Sequence, residues 1–156
     1  MKLHVLGNNG PFPAPGGATS GYLLEDTGTH VCMDLGSGTL SRLTEKNVLD
    51  SLDAMIFTHW HYDHCSDVLP LLYRLQSSGR VLEVYGPVDE TSMIRKVIQT
   101  ESVFRLHDLK PGDQLNIGTI HFSVYPARHP VPAIMLRAVS ETENKVVCYT
   151  GDTNTE

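Results

Sequence analysis

Apolar and polar residues alternate in KLHVLG (Lys2–Gly7), the two-residue period of a half-buried strand. The next fourteen residues, NNGPFPAPGGATSG, hold three prolines and four glycines, more than the interior of either element tolerates, and read as irregular. YLLE (Tyr22–Glu25) and THVCMDLG (Thr29–Gly36) flank the turn residues Asp26–Gly28 and predict a hairpin. SGTLSRLTEKN predicts a short helix, and LDAMIFTH (Leu52–His59) a strand. In SDVLPLLYRLQSSG, Val68, Leu71, Leu72 and Leu75 recur at i, i+3, i+4 and i+7, a helical stripe with Ser66 as N-cap, Pro70 near the first turn and Gly79 as terminator. VLEVYG is a further strand, and DETSMIRKVIQT a helix with Asp89 as N-cap. TIHFSVYPARH, AIMLRAVSE and KVVCYTGD predict three more strands. Such a mixture implies an α/β layered domain, a sheet covered by helices.

Composition narrows the picture. The chain has 156 residues, within the size of one domain, and neither a repeat nor a low-complexity tract divides it, so residues 1–156 are expected to form a single unit. With 40% hydrophobic and 19% charged residues it belongs with ordinary globular proteins. A formal charge of −6 disfavours nucleic acid as a partner. Cys32, Cys65 and Cys148 lie far apart without C-x-x-C spacing, which points to a reducing compartment and to three small packing residues. The N-terminal apolar run is too short for a signal peptide and no segment has membrane length, so a cytoplasmic protein is expected.

The chemistry is concentrated in IFTHWHYDHCSD (Ile56–Asp67), where His59, His61, Asp63 and His64 fall within six positions after an apolar strand. Strand ends leading into loops are rigid yet exposed, and α/β proteins place functional groups there. Neutral imidazole is a good zinc ligand and a carboxylate complements it. In an extended loop His59 and His61 can face one way while Asp63 and His64 reach a second point, so the spacing suits two metals side by side. A solvated cluster of surface histidines is the plainer alternative. His4, His30, His107 and His121 match no pattern and read as surface or half-buried strand residues, and Asp67 as a first-turn helix charge.

THWHYDHCSD resembles the H-x-H-x-D-H signature of the metallo-β-lactamase superfamily. MDLGSG resembles that family's first motif, whose aspartate, here Asp34, braces the ligand loop. ARHPVPAIMLR offers His129 where the third histidine ligand occurs, and VVCYTGDT offers Asp152 where a carboxylate bridges two metals. The resemblance implies an αβ/βα sandwich in which His59, His61 and His129 hold one zinc, Asp63 and His64 hold the other, and Asp152 sits between. Manganese or iron suit similar donors. A histidine before proline is also a common loop residue, and an aspartate after glycine a common turn residue.

His61, His64 and the CSD continuation set the chain apart from diiron, antibiotic-cleaving and glyoxalase-like members and make it most similar to the ribonuclease Z-like, phosphodiesterase-like branch. The activity implied is hydrolysis of a phosphodiester by a metal-bridged hydroxide, with Asp63 orienting the nucleophile. A lactone or thioester hydrolase and a non-catalytic metal-binding subunit are the alternatives. Transfer RNA is disfavoured by the acidic charge and by the lack of a basic insertion between His64 and His129, which leaves a small-molecule phosphodiester. The resemblance also implies that the chain ends before the family's C-terminal part, with a last histidine ligand and outer elements missing. An unpaired strand at Lys145–Thr150 would then favour self-association, for example as a homo-oligomer.

Overall fold

The computed structural model describes residues 1–154. Its first sheet runs β1 (Lys2–Gly7), β2 (Gly21–Asp26), β3 (Thr29–Leu35), β4 (Ala54–Ile56), β5 (Leu82–Pro87) and β6 (Phe104–Leu109), in that order in space. The first three strands are antiparallel and β3 to β6 are parallel. Parallel neighbours need crossovers, supplied here by α1 (Thr39–Glu45), α2 (Tyr62–Cys65) with α3 (Val68–Ser78), and α4 (Met93–Thr100). The second sheet is antiparallel throughout, with β7 (Gln114–Ile117), β8 (Ile120–Pro126), β9 (Ile134–Ser140) and β10 (Val146–Tyr149) in sequence across it. Among the described residues, no helix is long and apolar enough to cross a membrane.

Side-chain alternation on the central strands explains the layering. Leu23, Cys32 and Met55 point to one face, where they pack with Leu43, Leu71, Leu75, Ile94 and Ile98 of the helices. Their neighbours Leu24, Val31, Met33, Ala54 and Ile56 point to the other face and meet Ile120, Phe122, Val124, Leu136 and Ala138 of the second sheet. The middle layer is therefore apolar on both sides, which is why β4 is a short unbroken apolar run. Each large side chain so buried contributes about 1.5–3 kcal/mol. The β2–β3 hairpin closes through Thr27 and Gly28 at φ 46° and 84°, the two left-handed positions of the favoured two-residue turn.

Several local expectations need correction. FRLHDL and QLNI are strands β6 and β7, which periodicity missed because β6 is an edge strand with a half-solvated centre and β7 is only four residues long. Helix α3 is preceded by Asp67, not by Ser66, which instead closes α2. The Asp67 carboxylate accepts from the Leu40 amide at 2.9 Å, so it serves the start of α1 and not the first turn of its own helix. Ser92 caps α4 by accepting from the Arg95 amide at 3.2 Å, while Asp89 accepts from the amide and hydroxyl of Thr91 in the preceding turn. Cys32 and Cys65 are buried as expected, but Cys148 is exposed. It lies on the face of β10 opposite Val147 and Tyr149, which pack against the inter-sheet core.

The end of β3 is stitched to the segment carrying the histidines. Gly36 N donates to Ser20 O, Ser20 N to Asp63 O, and Asp67 N to Leu35 O. A Cβ on Gly36 would stand 1.9 Å from the Asp63 carbonyl oxygen. Gly36→Ala is accordingly expected to lower unfolding stability by about 2 kcal/mol or more, read by denaturant titration. Strand β10 pairs with β9 alone among the described residues and leaves its other edge open. Light scattering over a concentration series is expected to show self-association, and a strict monomer at every concentration would refute that.

Candidate metal centre

The site residues lie in the segments that follow strands β4, β8 and β10. His59 and His61 follow β4, and His61 occupies the N-cap position of α2, which carries Asp63 and His64. His129 sits between β8 and β9, and Asp152 three residues beyond the end of β10. Two groups result. Ring nitrogens of His59, His61 and His129 lie within 4.8 Å of one another, and so do ligand atoms of His59, His64 and Asp152. His129 Nε2 is 3.0 Å from His61 Nδ1, and His64 Nε2 is 3.3 Å from Asp152 Oδ1. Asp63 Oδ2 stands 3.6 Å from His64 Nε2, beside the second group. His59, which the spacing set with His61 alone, belongs to both groups.

Asp34 organises this arrangement. Its backbone adopts φ 58°, a left-handed conformation that a residue with a Cβ rarely takes, and its carboxylate is fully buried. Oδ1 accepts from Thr58 N at 2.8 Å. Oδ2 accepts from Thr58 Oγ1 at 2.8 Å, His64 Nδ1 at 2.7 Å and Tyr149 Oη at 2.6 Å. Proton counting then fixes both buried imidazoles. His64 donates its Nδ1 proton to Asp34, so in the neutral ring Nε2 is the lone pair that faces Asp152. Thr58 spends its single hydroxyl proton on Asp34, so its 3.1 Å contact with His59 Nδ1 requires the imidazole to donate. His59 Nε2 is then an acceptor, and it is buried with no hydrogen-bond partner among the described residues.

Electrostatics point the same way for His59 and His129, and the opposite way for His64. Burial, reinforced by His64, pulls the pKa of His59 down to about 4, so the ring is neutral at physiological pH. Burial and His61 likewise lower His129. Burial opposes protonation of His64 as well, but the hydrogen bond to Asp34 and the charges of Asp34, Asp63 and Asp152 outweigh it and its pKa is raised. Two imidazoles biased toward the neutral form, a third drawn toward a positive charge by its carboxylate neighbours, and a buried lone pair that meets no donor among the described residues fit a divalent cation as the missing partner. The imidazole N–H bonds to Asp34 and Thr58 are the supports that metal-binding histidines ordinarily have.

Three hollows surround the cluster. A cleft of about 650 Å³ is lined by Asn8, Asn9, Ser20, Asp63, His64 and Asp152, among others. A second, of about 520 Å³, runs along Leu109, Pro111, His129, Pro130, Val131 and Pro132, and a small one of about 170 Å³ lies at Trp60, His61, Tyr62 and Met93. Trp60 is held there by its indole N–H, 2.7 Å from Pro87 O. Thr58 and Tyr149 are the functional residues that sequence reasoning left without a role. Thr58 adjoins His59 and was open to inspection, whereas Tyr149 gains its role by a contact 115 residues away in the chain.

The chain and its fold resemble known proteins. The family model described as Beta-lactamase superfamily domain matches residues 22–156. Ribonuclease Z of Methanopyrus kandleri is 34% identical over 139 residues, covering 88% of this chain and 50% of that protein. The probable metallo-hydrolase YhfI of Bacillus subtilis is 29% identical over 164 residues, covering 99% of this chain and 64% of its own. The chain thus spans about half to two thirds of the length of these relatives. The crystal structure of YhfI superposes with a TM-score of 0.88 over 99% of this chain and 63% of that one. Human tRNase Z, short form, gives 0.80 over 97% of this chain and 69% of its own at 20% identity, a likeness of fold. On the extent of the family match, the chain belongs to the beta-lactamase superfamily and has the metallo-β-lactamase fold.

Proposed function

We propose that this chain is a metal-dependent hydrolase whose substrate is a small phosphodiester. The observation that carries the reading is the pair of ligand groups sharing His59, whose buried Nε2 has no partner among the described residues. His59, His61 and His129 would hold one divalent metal, and His64, Asp63 and Asp152 the other, with Asp152 between them; zinc suits the donor set, and manganese or iron follow. A divalent metal bound there supplies Lewis-acid polarisation of the substrate and lowers the pKa of water toward neutrality. Asp63, 3.6 Å from His64 Nε2 and lining the large cleft, orients the attacking water and accepts its proton. Asp34 and Thr58 keep the imidazoles in the tautomers that present lone pairs to the cleft.

The substrate class rests on two supports. A relative named ribonuclease Z favours phosphoryl chemistry, and one named metallo-hydrolase favours metal-dependent hydrolysis. The large cleft has asparagine, serine and aspartate on its walls and neither lysine nor arginine, in a chain of formal charge −6, which suits a small diester better than a long polyanion such as transfer RNA.

Zinc-stripped protein is expected to be inactive on bis-p-nitrophenyl phosphate and to regain turnover on addition of two equivalents of zinc. His61→Ala should lower kcat/KM by about 100-fold or more. Faster hydrolysis of a thioester or lactone than of the diester would overturn the substrate class, and two bound zincs without turnover on any of these would make the chain a metal-binding module. Asp34→Asn offers one acceptor oxygen where four donors converge. It is expected to cost about 2–3 kcal/mol in denaturant unfolding and to weaken metal binding about 10–100-fold in calorimetric titration.

A further inference from the structure

We infer that Tyr149 is a positioning residue that fixes the Asp152 side of the centre against the histidine side, acting through Asp34. The inference rests on the metal-centre reading above and adds to it a residue of the second sheet.

Tyr149 ends β10, and its hydroxyl donates to Asp34 Oδ2 at 2.6 Å, across the gap between the two sheets. The same oxygen receives His64 Nδ1 at 2.7 Å, so the phenol and the imidazole are held by one atom. Burial, and then the charge of Asp34, push the Tyr149 pKa upward, so the hydroxyl keeps its proton and stays a donor. The backbone beyond Tyr149 is fitted to the same place. Gly151 takes φ 53°, and a Cβ there would lie 2.6 Å from Thr58 Oγ1. Only after that turn does the Asp152 carboxylate come within 3.3 Å of His64 Nε2. Further attachments of this segment run to the His129 loop, where Arg128 N donates to Thr153 Oγ1 and Asn154 N to Arg128 O, and the Tyr149 hydroxyl also meets Ser20. The Tyr149–Asp34 bond ties the segment to the same oxygen that holds His64.

The alternative is that Tyr149 merely fills space. Its ring does pack, against Tyr22 at 4.8 Å between centroids and against the inter-sheet core. Phenylalanine would keep all of that packing and remove the hydroxyl alone, so Tyr149→Phe separates the two roles. Tyr22→Phe is the control, since it removes a hydroxyl from the same ring pair.

The experiment is calorimetric zinc titration of metal-stripped wild type, Tyr149→Phe and Tyr22→Phe, with cobalt(II) absorption as a second readout. The wild type is expected to bind two equivalents. Tyr149→Phe should bind the first unchanged and the second about ten-fold or more weakly, with an altered cobalt spectrum. Tyr22→Phe should match the wild type. Equal binding by Tyr149→Phe and wild type, or an equal loss at both equivalents, would overturn the positioning role and leave the metal centre standing. A wild type that binds no zinc would overturn the metal centre itself, and this inference with it. Should Tyr149→Phe fail to fold, NMR of the zinc-loaded wild type decides. A slowly exchanging Tyr149 hydroxyl proton close to the His64 Nδ1 proton is expected, and its absence counts against the assignment.

Discussion

Everything chemical in this molecule depends on one buried carboxylate that accepts four hydrogen bonds. Asp34 sits at the end of β3 in a left-handed backbone conformation, which costs about 1–3 kcal/mol for a residue with a side chain. It persists because the surroundings over-determine it. Two donors come from Thr58, one from His64 and one from Tyr149, so the groups it gathers belong to the segment after β4, to helix α2 and to the second sheet. A neutral side chain of the same shape could not receive all four, and an apolar one would strand them. The charge is tolerable in the interior because its donors are fixed in place before any ligand arrives.

Thr58 extends that order into the rest of the site. Its amide and hydroxyl go to Asp34, its hydroxyl oxygen receives His59, and its carbonyl accepts from Ile134 N at the start of β9. One residue therefore sets a histidine tautomer and anchors the strand that follows the His129 loop. Binding groups drawn from distant parts of the chain can be held to fractions of an ångström only if such shared atoms tie them together. The walls of the surrounding cleft contribute little charge of their own, which leaves the carboxylates and imidazoles to set the local field.

Much of this was legible in the sequence, and the parts that were not share a cause. His59, His61, Asp63 and His64 lie within one loop and helix turn, so spacing alone announced them. The strands buried on one or both faces were visible as apolar runs, and Gly79 as a helix terminator was visible from its place after the stripe. Strand β6 was not, because at a sheet edge the solvent replaces a partner and the alternation fades. Asp67 reads as a first-turn helix charge and Asp89 as a helix cap, yet the Asp67 carboxylate serves the start of α1 and that of Asp89 the turn before α4. Cys148 reads as a packing residue until β10 is seen to turn that side chain outward. Tyr149 matters through a partner 115 residues away, and no local window contains that information.

The wide sequence separation of the site has a kinetic consequence. His61 meets His129 across 68 residues, and Tyr149 meets Asp34 across 115. Contacts so distant form late, because the entropy of closing a long loop must be lost before any of them can compensate it. As the chain leaves the ribosome, the histidine-rich loop is therefore made well before the residues that complete its cage. On the proposed reading, an ion would meet its full set of ligands only in the finished fold, and the centre would serve as a test of its own assembly.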